Sequence, residues 1–220
     1  MTYFAFQKIN KGVIPPEEIE SLYNSGYVCT REEKGAFNQV RSVRIPLSSF
    51  VLQSENKRIL KKMTVFDMHT ESIPYEKYTW HIGKMAKDFY LSRGAEFSAN
   101  KIKELLTDTN KSNFNTVLVY NTTDELGDTH TIGYAICLET EHIMHYSYPF
   151  YDFVHEPKDT GMKMLLSAIL YAEKKKKKYI YIGSLSRPND TYKLQFTPME
   201  WFTGKAWSGD IAEAKEILRT

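Results

Sequence analysis

The amino-acid sequence predicts an α+β fold: a mixed, mostly antiparallel sheet flanked by helices, with a small N-terminal α/β region. Two stretches predict it most directly. Residues 116–120 and 131–139 are rich in β-branched and aromatic side chains, and the turn residues Asp124, Gly127 and Asp128 lie between them, the pattern of a hairpin. After a further strand over 141–151, residues 160–174 carry Met164, Leu165, Ala168, Ile169 and Ala172 at helical spacing, and Tyr179–Gly183 reads as a strand again. A strand, a helix and a strand in succession call for one parallel crossover within an otherwise antiparallel sheet.

The remaining elements follow in order. Residues 1–16 read as an opening strand and a turn, punctuated by Gly12 and the Pro15-Pro16 pair. A short helix over 15–26 has Pro16 near its first position, Glu17 and Glu18 in its first turn and Gly26 just past its end. A strand over 27–31 precedes a polar loop over 32–38. Residues 40–50 alternate, and Pro46 marks them as an edge strand. Residues 54–63 form a basic helix with Ser54 as its cap. A strand over 64–70 leads to a helix over 74–92 with Tyr75, Tyr78, Ile82, Met85 and Phe89 on one side and Gly94 ending it. Ser98 caps a helix over 98–107, and a final helix covers 212–218. Organisation divides at about residue 70, into an N-terminal region with the basic helix (1–70) and a larger domain (71–220).

Composition narrows the function. An apolar fraction of 42% and a charged fraction of 25% describe an ordinary globular protein, and a net charge of +2 leaves any nucleic-acid contact to local basic patches. The aromatic share of 14% is high, with 15 tyrosines. Cys29 and Cys137 stand far apart without a CxxC, so neither a zinc knuckle nor a disulfide framework is expected. The six histidines lack metal-ligand spacing; His142 and His145, three apart in a strand, point to opposite faces. No signal peptide or membrane span is visible, and a cytoplasmic location with no membrane partner is expected.

The element order from residue 113 onward is that of the GNAT acyltransferase fold. Enzymes of that fold hold an acyl carrier at the N-terminus of the crossover helix, the usual coenzyme A being gripped by a loop of the form Q/R-x-x-G-x-G/A. Here the segment is Glu156-Pro157-Lys158-Asp159-Thr160-Gly161-Met162-Lys163, with one glycine and a lysine where the second small residue belongs. An acyl-coenzyme A N-acetyltransferase is therefore the alternative reading, not the leading one.

Four segments resemble, in order, the arginyl-tRNA–protein transferases and their bacterial leucyl-transferase relatives. Residues 22–31 (LYNSGYVCTR) are similar to the family's opening L-x-x-x-G-W-R-R block. Residues 43–50 (VRIPLSSF) with 53–60 (QSENKRIL) resemble its R-I-P-V-x-x-F block. Tyr148–Asp152 with Thr160-Gly161-Met162 resembles its Y-Y-D-P-D…L-G-x-Y segment, and Tyr181-Ile182-Gly183 with residues 192–200 (YKLQFTPME) its Y-x-G-Y…Y-K-A-Q-F-R-P-S-E ending. The family's N-terminal cysteine cluster is not seen, and the further cysteines before its R-I-P block have no counterpart at residues 37–42, so the resemblance implies a divergent member. It implies a transferase that moves an aminoacyl group from tRNA to the amine of a protein N-terminus or peptide, as in N-degron tagging, with aminoacyl-tRNA as donor and no cofactor or metal.

The resemblance also nominates residues. Forming a peptide bond from an aminoacyl ester needs a neutral amine, a stabilised oxyanion and a route for the amine's proton. Asp152 is the candidate to take that proton or orient the amine, a solvated strand-end carboxylate being the alternative. Gln195 is the candidate to hold the oxyanion or the aminoacyl group. Tyr192 and Lys193 would flank the terminal adenosine and its phosphate, with Tyr148, Tyr151, Gly161, Phe196 and Trp80 lining the substrate site. Arg41, Arg44, Lys57, Arg58, Lys61 and Lys62 form the set suited to tRNA phosphates; Lys57/Lys61 and Arg58/Lys62 each share a helix face. The run Lys174–Lys178 reads as a dipole-complementing, solubilising helix end. A non-catalytic tRNA-binding protein of the same fold remains the alternative from another class.

Overall fold

The computed structural model describes residues 4–63, 66–155 and 159–219. In chain order the elements are β1 (Gln7–Asn10), α1 (Pro16–Asn24), β2 (Tyr27–Cys29), β3 (Ala36–Gln39), β4 (Ser42–Pro46), α2 (Ser54–Leu60), β5 (Phe66–Ser72), α3 (Trp80–Leu91), α4 (Ala99–Thr107), β6 (Thr116–Thr123), β7 (Thr129–Glu139), β8 (Ile143–Tyr151), α5 (Thr160–Lys174), β9 (Tyr179–Ser184), β10 (Glu200–Phe202), β11 (Trp207–Ser208) and α6 (Ile211–Ile217). Short 3-10 segments cover Leu47–Ser49 and Pro188–Gln195. The fold is α+β, with a large, mostly antiparallel sheet flanked by helices and a β8–α5–β9 crossover, consistent with a GNAT-like fold.

The chain forms two compact units that do not follow chain order. The first comprises residues 1–53, 140–145 and 171–220, the second 54–139 and 146–170. In the first, β1, β3 and β2 make a small antiparallel sheet. Beside it in the same unit, β4 pairs with β9 on one edge and β10 on the other, β11 follows β10, and the start of β8 runs parallel to β9 with Ile143 opposite Tyr179. Val43, Ile45, Ile180 and Trp201 are buried there. Each such side chain contributes about 1.5 to 3 kcal/mol when taken from water. Gly26 follows α1 with φ +79°, and a Cβ there would stand 2.2 Å from the Phe202 ring, so the turn and the packing both require glycine.

The second unit holds the β5–β6–β7 meander, with Phe66 opposite Thr122 and Val117 opposite Ile136. The far half of β8 continues from β7, the Asp152 N–H donating to the Ile132 carbonyl. The β6–β7 turn is built by Asp124, whose carboxylate accepts from the N–H groups of Leu126 and Asp128, and by Gly127 at φ +89°. The helical spacing of α5 is that of a core helix, and Met164, Leu165, Ala168 and Ile169 are buried. Ser98 caps α4 by accepting from the Lys101 N–H, as its position predicts.

Four expectations change. Residues 36–38 of the predicted loop, with Gln39, form β3, because their backbone is taken up by β1 and β2. The strand containing Pro46 is not at an edge: β4 is paired on both sides, and proline is accommodated because it is the last residue of the strand. The helix predicted from residue 74 begins at Trp80; residues 75–79 form a turn whose Tyr75 N–H bonds the Leu106 carbonyl. Ser54 lies inside α2 rather than capping it. The first two residues of the strand predicted over 64–70 lie outside the described residues.

Candidate functional site

In the second unit the end of β8, the loop after it and the start of α5 meet. Tyr151 is the last residue of β8, and its ring packs on Gly161 so closely that a Cβ there would stand 3.3 Å from the ring. The next residue, Asp152, leaves the strand with its carboxylate turned back onto the chain. It accepts from the N–H groups of Val154 (3.2 Å) and His155 (3.4 Å) and lies 2.7 Å from the His155 Nδ1. Partial burial would raise the Asp152 carboxyl, but the bonds from the His155 ring and from the two backbone N–H groups outweigh it and hold the carboxyl below its ordinary range. Asp152 is thus a settled anion and a poor proton acceptor. His155 is 78% exposed in its side chain. A neutral His155 ring whose Nδ1–H donates to this carboxylate would keep the Nε2 lone pair free, which is the tautomer a general base needs.

Arg93 completes this face. Its guanidinium lies 3.6 Å from the Phe89 ring centroid and donates to the Tyr151 hydroxyl at 3.3 Å. Lys62, beyond the end of α2, reaches the Asp159 carboxylate at 4.0 Å, one residue before α5. Lys62 therefore lies close to the start of α5, in the same unit as Asp152 and Gly161. Lys57, Arg58, Lys61 and Lys62 are all exposed; Arg58 is held in a two-pronged bond by Glu55 at 2.8 and 2.6 Å. Trp80 is 65% exposed and stacks on His81, while Tyr148 packs edge-on against Phe97 and Phe114.

Gln195 and its neighbours belong to the first unit. They lie on or just after the 3-10 segment Pro188–Gln195, which the sequence did not reveal. Tyr192 is 42% exposed. Gln195 donates its amide to the Tyr192 carbonyl at 2.8 Å. Phe196 is buried and faces Phe50. Lys193 differs from expectation: it is 5% exposed and donates to the Ser184 carbonyl at 2.6 Å and the Asp190 carboxylate at 2.7 Å, which fastens the 3-10 segment to β9. Its ammonium is not presented to a phosphate.

Arg44 differs likewise. Only 7% exposed, it binds Glu200 at 2.7 Å and lies between the Tyr179 and Trp207 rings, 4.0 and 3.9 Å from their centroids. It fixes β4 to its neighbours and leaves the phosphate-facing set, whereas Arg41, half-buried over Phe4, stays near the surface. Sequence reasoning also missed a buried cluster in which the Tyr23 hydroxyl lies 2.7 Å from the His145 Nδ1 and 3.0 Å from the Cys29 sulfur. Burial pushes the Cys29 thiol up to about 12 and His145 down to about 3, so both stay neutral and neither serves as a base or nucleophile.

No family model matches the sequence, and no curated protein matches it. Solved structures similar to it include L-PGS from Bacillus licheniformis, at 12% identity and a TM-score of 0.48, over 80% of this chain and 52% of that one. Another is the C-terminal DUF2156 domain of a protein assigned as lysylphosphatidylglycerol synthetase from Agrobacterium fabrum, at 10% identity and a TM-score of 0.47, over 79% and 53%. The chain spans about half the length of these structures. Likeness this remote leaves the activity to be argued from the chain's own residues. Among the described residues no helix is long and apolar enough to cross a membrane.

Proposed function

We propose that the chain is an aminoacyl-tRNA-dependent transferase that delivers the aminoacyl group to an amine, in the manner of the arginyl- and leucyl-transferases. The observation that carries the reading is the Asp152–His155 pair directly after β8, whose last residue Tyr151 packs on Gly161 at the start of α5, with Lys62 4.0 Å from Asp159 before that helix. The ordered similarity of four segments to that family supports it from the sequence side.

The acceptor amine attacks the carbonyl carbon of the aminoacyl ester. A C–N bond forms, the C–O bond to the terminal ribose breaks, and the ribose oxygen leaves as a hydroxyl. His155 takes the proton the amine loses, through Nε2, and returns it to that oxygen; Asp152 holds the imidazole in the required tautomer. The proton-accepting role passes from Asp152 to His155 because the carboxylate is already stabilised by three hydrogen bonds. Exposed Lys57, Lys61 and Lys62, with Arg58, lead the acceptor-stem phosphates to this site, and Arg93 meets a phosphate or an acidic acceptor. The acceptor is the amine of a protein or peptide N-terminus.

The test is single-turnover transfer from charged tRNA to peptide by the wild type and by His155→Asn and Asp152→Asn. Loss of transfer in His155→Asn with tRNA affinity unchanged is expected. Full transfer by both variants would remove the pair from the mechanism.

A further inference from the structure

Five successive lysines, Lys174–Lys178, end α5 and open β9. A helix C-terminus carries about half a negative charge, which one or two cations satisfy. Five exceed that need and repel one another, so the helix dipole does not account for them.

The corner they occupy is fixed in shape. Lys176 adopts a left-handed conformation at φ +56°, and the N–H groups of Lys175, Lys176 and Lys177 bond back to the carbonyls of Tyr171, Glu173 and Ala172. The Lys178 N–H bonds the His142 carbonyl at 2.7 Å. Lys177 is the structural member, its ammonium donating to the Thr140 and Glu141 carbonyls. The 140–142 turn is itself tied to α1, because the Glu20 carboxylate accepts from the Thr140 hydroxyl and the His142 N–H.

The other four lysines are exposed. Among the described residues none forms an ion pair with them, although Glu173 and Glu141 lie nearby in sequence. Lys175 and Lys178 lie over the rings of Tyr171 and Tyr179, at 5.7 and 5.5 Å.

We infer that this corner is a phosphate-contacting surface for RNA, binding the backbone of a tRNA. The inference rests on the transferase reading for its choice of tRNA. Exposed lysines on a corner of fixed backbone, beside the half-exposed Tyr171 ring, suit a polyanion with regularly spaced phosphates and stackable bases. An anionic lipid surface is the lesser fit, since membrane-bound basic segments pair their charge with exposed apolar side chains. The large exposed apolar residues of this unit, Phe4, Phe6, Val13, Val51 and Tyr192, all lie elsewhere in the sequence.

The test measures affinity of the full chain for uncharged tRNA across a salt series, with the triple variant K174Q/K175Q/K178Q. These exposed positions leave Lys176 and Lys177 in their backbone roles, and an unchanged melting temperature checks the fold. The expected result is a log–log salt slope shallower by about 2 to 3, with affinity at low salt down on the order of 10- to 100-fold. An unchanged slope overturns the inference, as does absence of tRNA binding by the wild type. So does a variant that loses binding only to vesicles of phosphatidylglycerol and phosphatidylcholine. Transfer activity measured in parallel separates the two readings. Altered tRNA binding without transfer by the wild type sinks the transferase reading alone; transfer with an unaltered slope sinks the corner alone.

Discussion

In the proposed mechanism His155 carries the largest consequence of any single side chain. Asp152 orients its ring there, so removing either partner strikes the same proton transfer. His155→Asn and Asp152→Asn are each expected to lower the transfer rate by about 10²- to 10⁴-fold, with the melting temperature within a degree or two of wild type because both side chains are at the surface. Lys193 should behave in the opposite way. Truncating it leaves the Asp190 carboxylate and the Ser184 carbonyl without their donor, so Lys193→Ala is expected to cost about 3 kcal/mol in denaturant unfolding. A Lys193→Ala variant that folds as stably as wild type but loses tRNA affinity would restore this lysine to the substrate site. Asp152 was nominated by the resemblance of Tyr148–Asp152 to the transferase segment, and the structure sets the His155 ring against it. His155 was overlooked although its spacing, three residues beyond Asp152, was open to inspection; a turn, unlike a strand, brings such a pair together.

At the scale of elements, local rules located what local rules control. The cap of α4 is one such case, and Ser98→Ala should cost about 1 kcal/mol in equilibrium unfolding by removing the acceptor for the Lys101 N–H. The helical period found α5 from Thr160 to Lys174, and turn residues found the β6–β7 hairpin. Elements set by distant partners were hidden. β3 is a short, half-polar stretch that exists because β1 and β2 flank it; β4 is inner although it holds a proline; α3 starts late, after a turn tied to the Leu106 carbonyl of α4. The 3-10 segment escaped for a similar reason, since Lys193, a residue that alone suggests solvent, is drawn inside by Ser184 and Asp190. Arg44 repeats the point: a basic residue in a basic stretch looks like a phosphate ligand until the Tyr179 and Trp207 rings and Glu200 are found around it.

For the molecule as a whole, stability and activity make separate claims. His145 is buried and neutral, with its ionisation pushed from 6.5 to about 3 by burial. Above pH 6.5 it is neutral folded or unfolded and contributes no pH dependence. As pH falls from 6.5 toward 3, only the unfolded chain gains the proton, so stability is lost at up to ~1.4 kcal/mol per pH unit. Urea unfolding at pH 7 and pH 5 should show this loss in the wild type and a weaker dependence in His145→Gln; equal dependence in both would locate acid sensitivity elsewhere. The functional claim meets its most direct test in transfer itself. Radiolabelled aminoacyl-tRNAs would be offered with peptides of differing N-terminal residue, with phosphatidylglycerol vesicles as a competing acceptor and acetyl-coenzyme A as a competing donor. The account predicts label passing from tRNA to a peptide amine, abolished by His155→Asn. Label in lipid would keep the donor and correct the acceptor. Transfer from acetyl-coenzyme A alone, with none from any charged tRNA, would contradict the account.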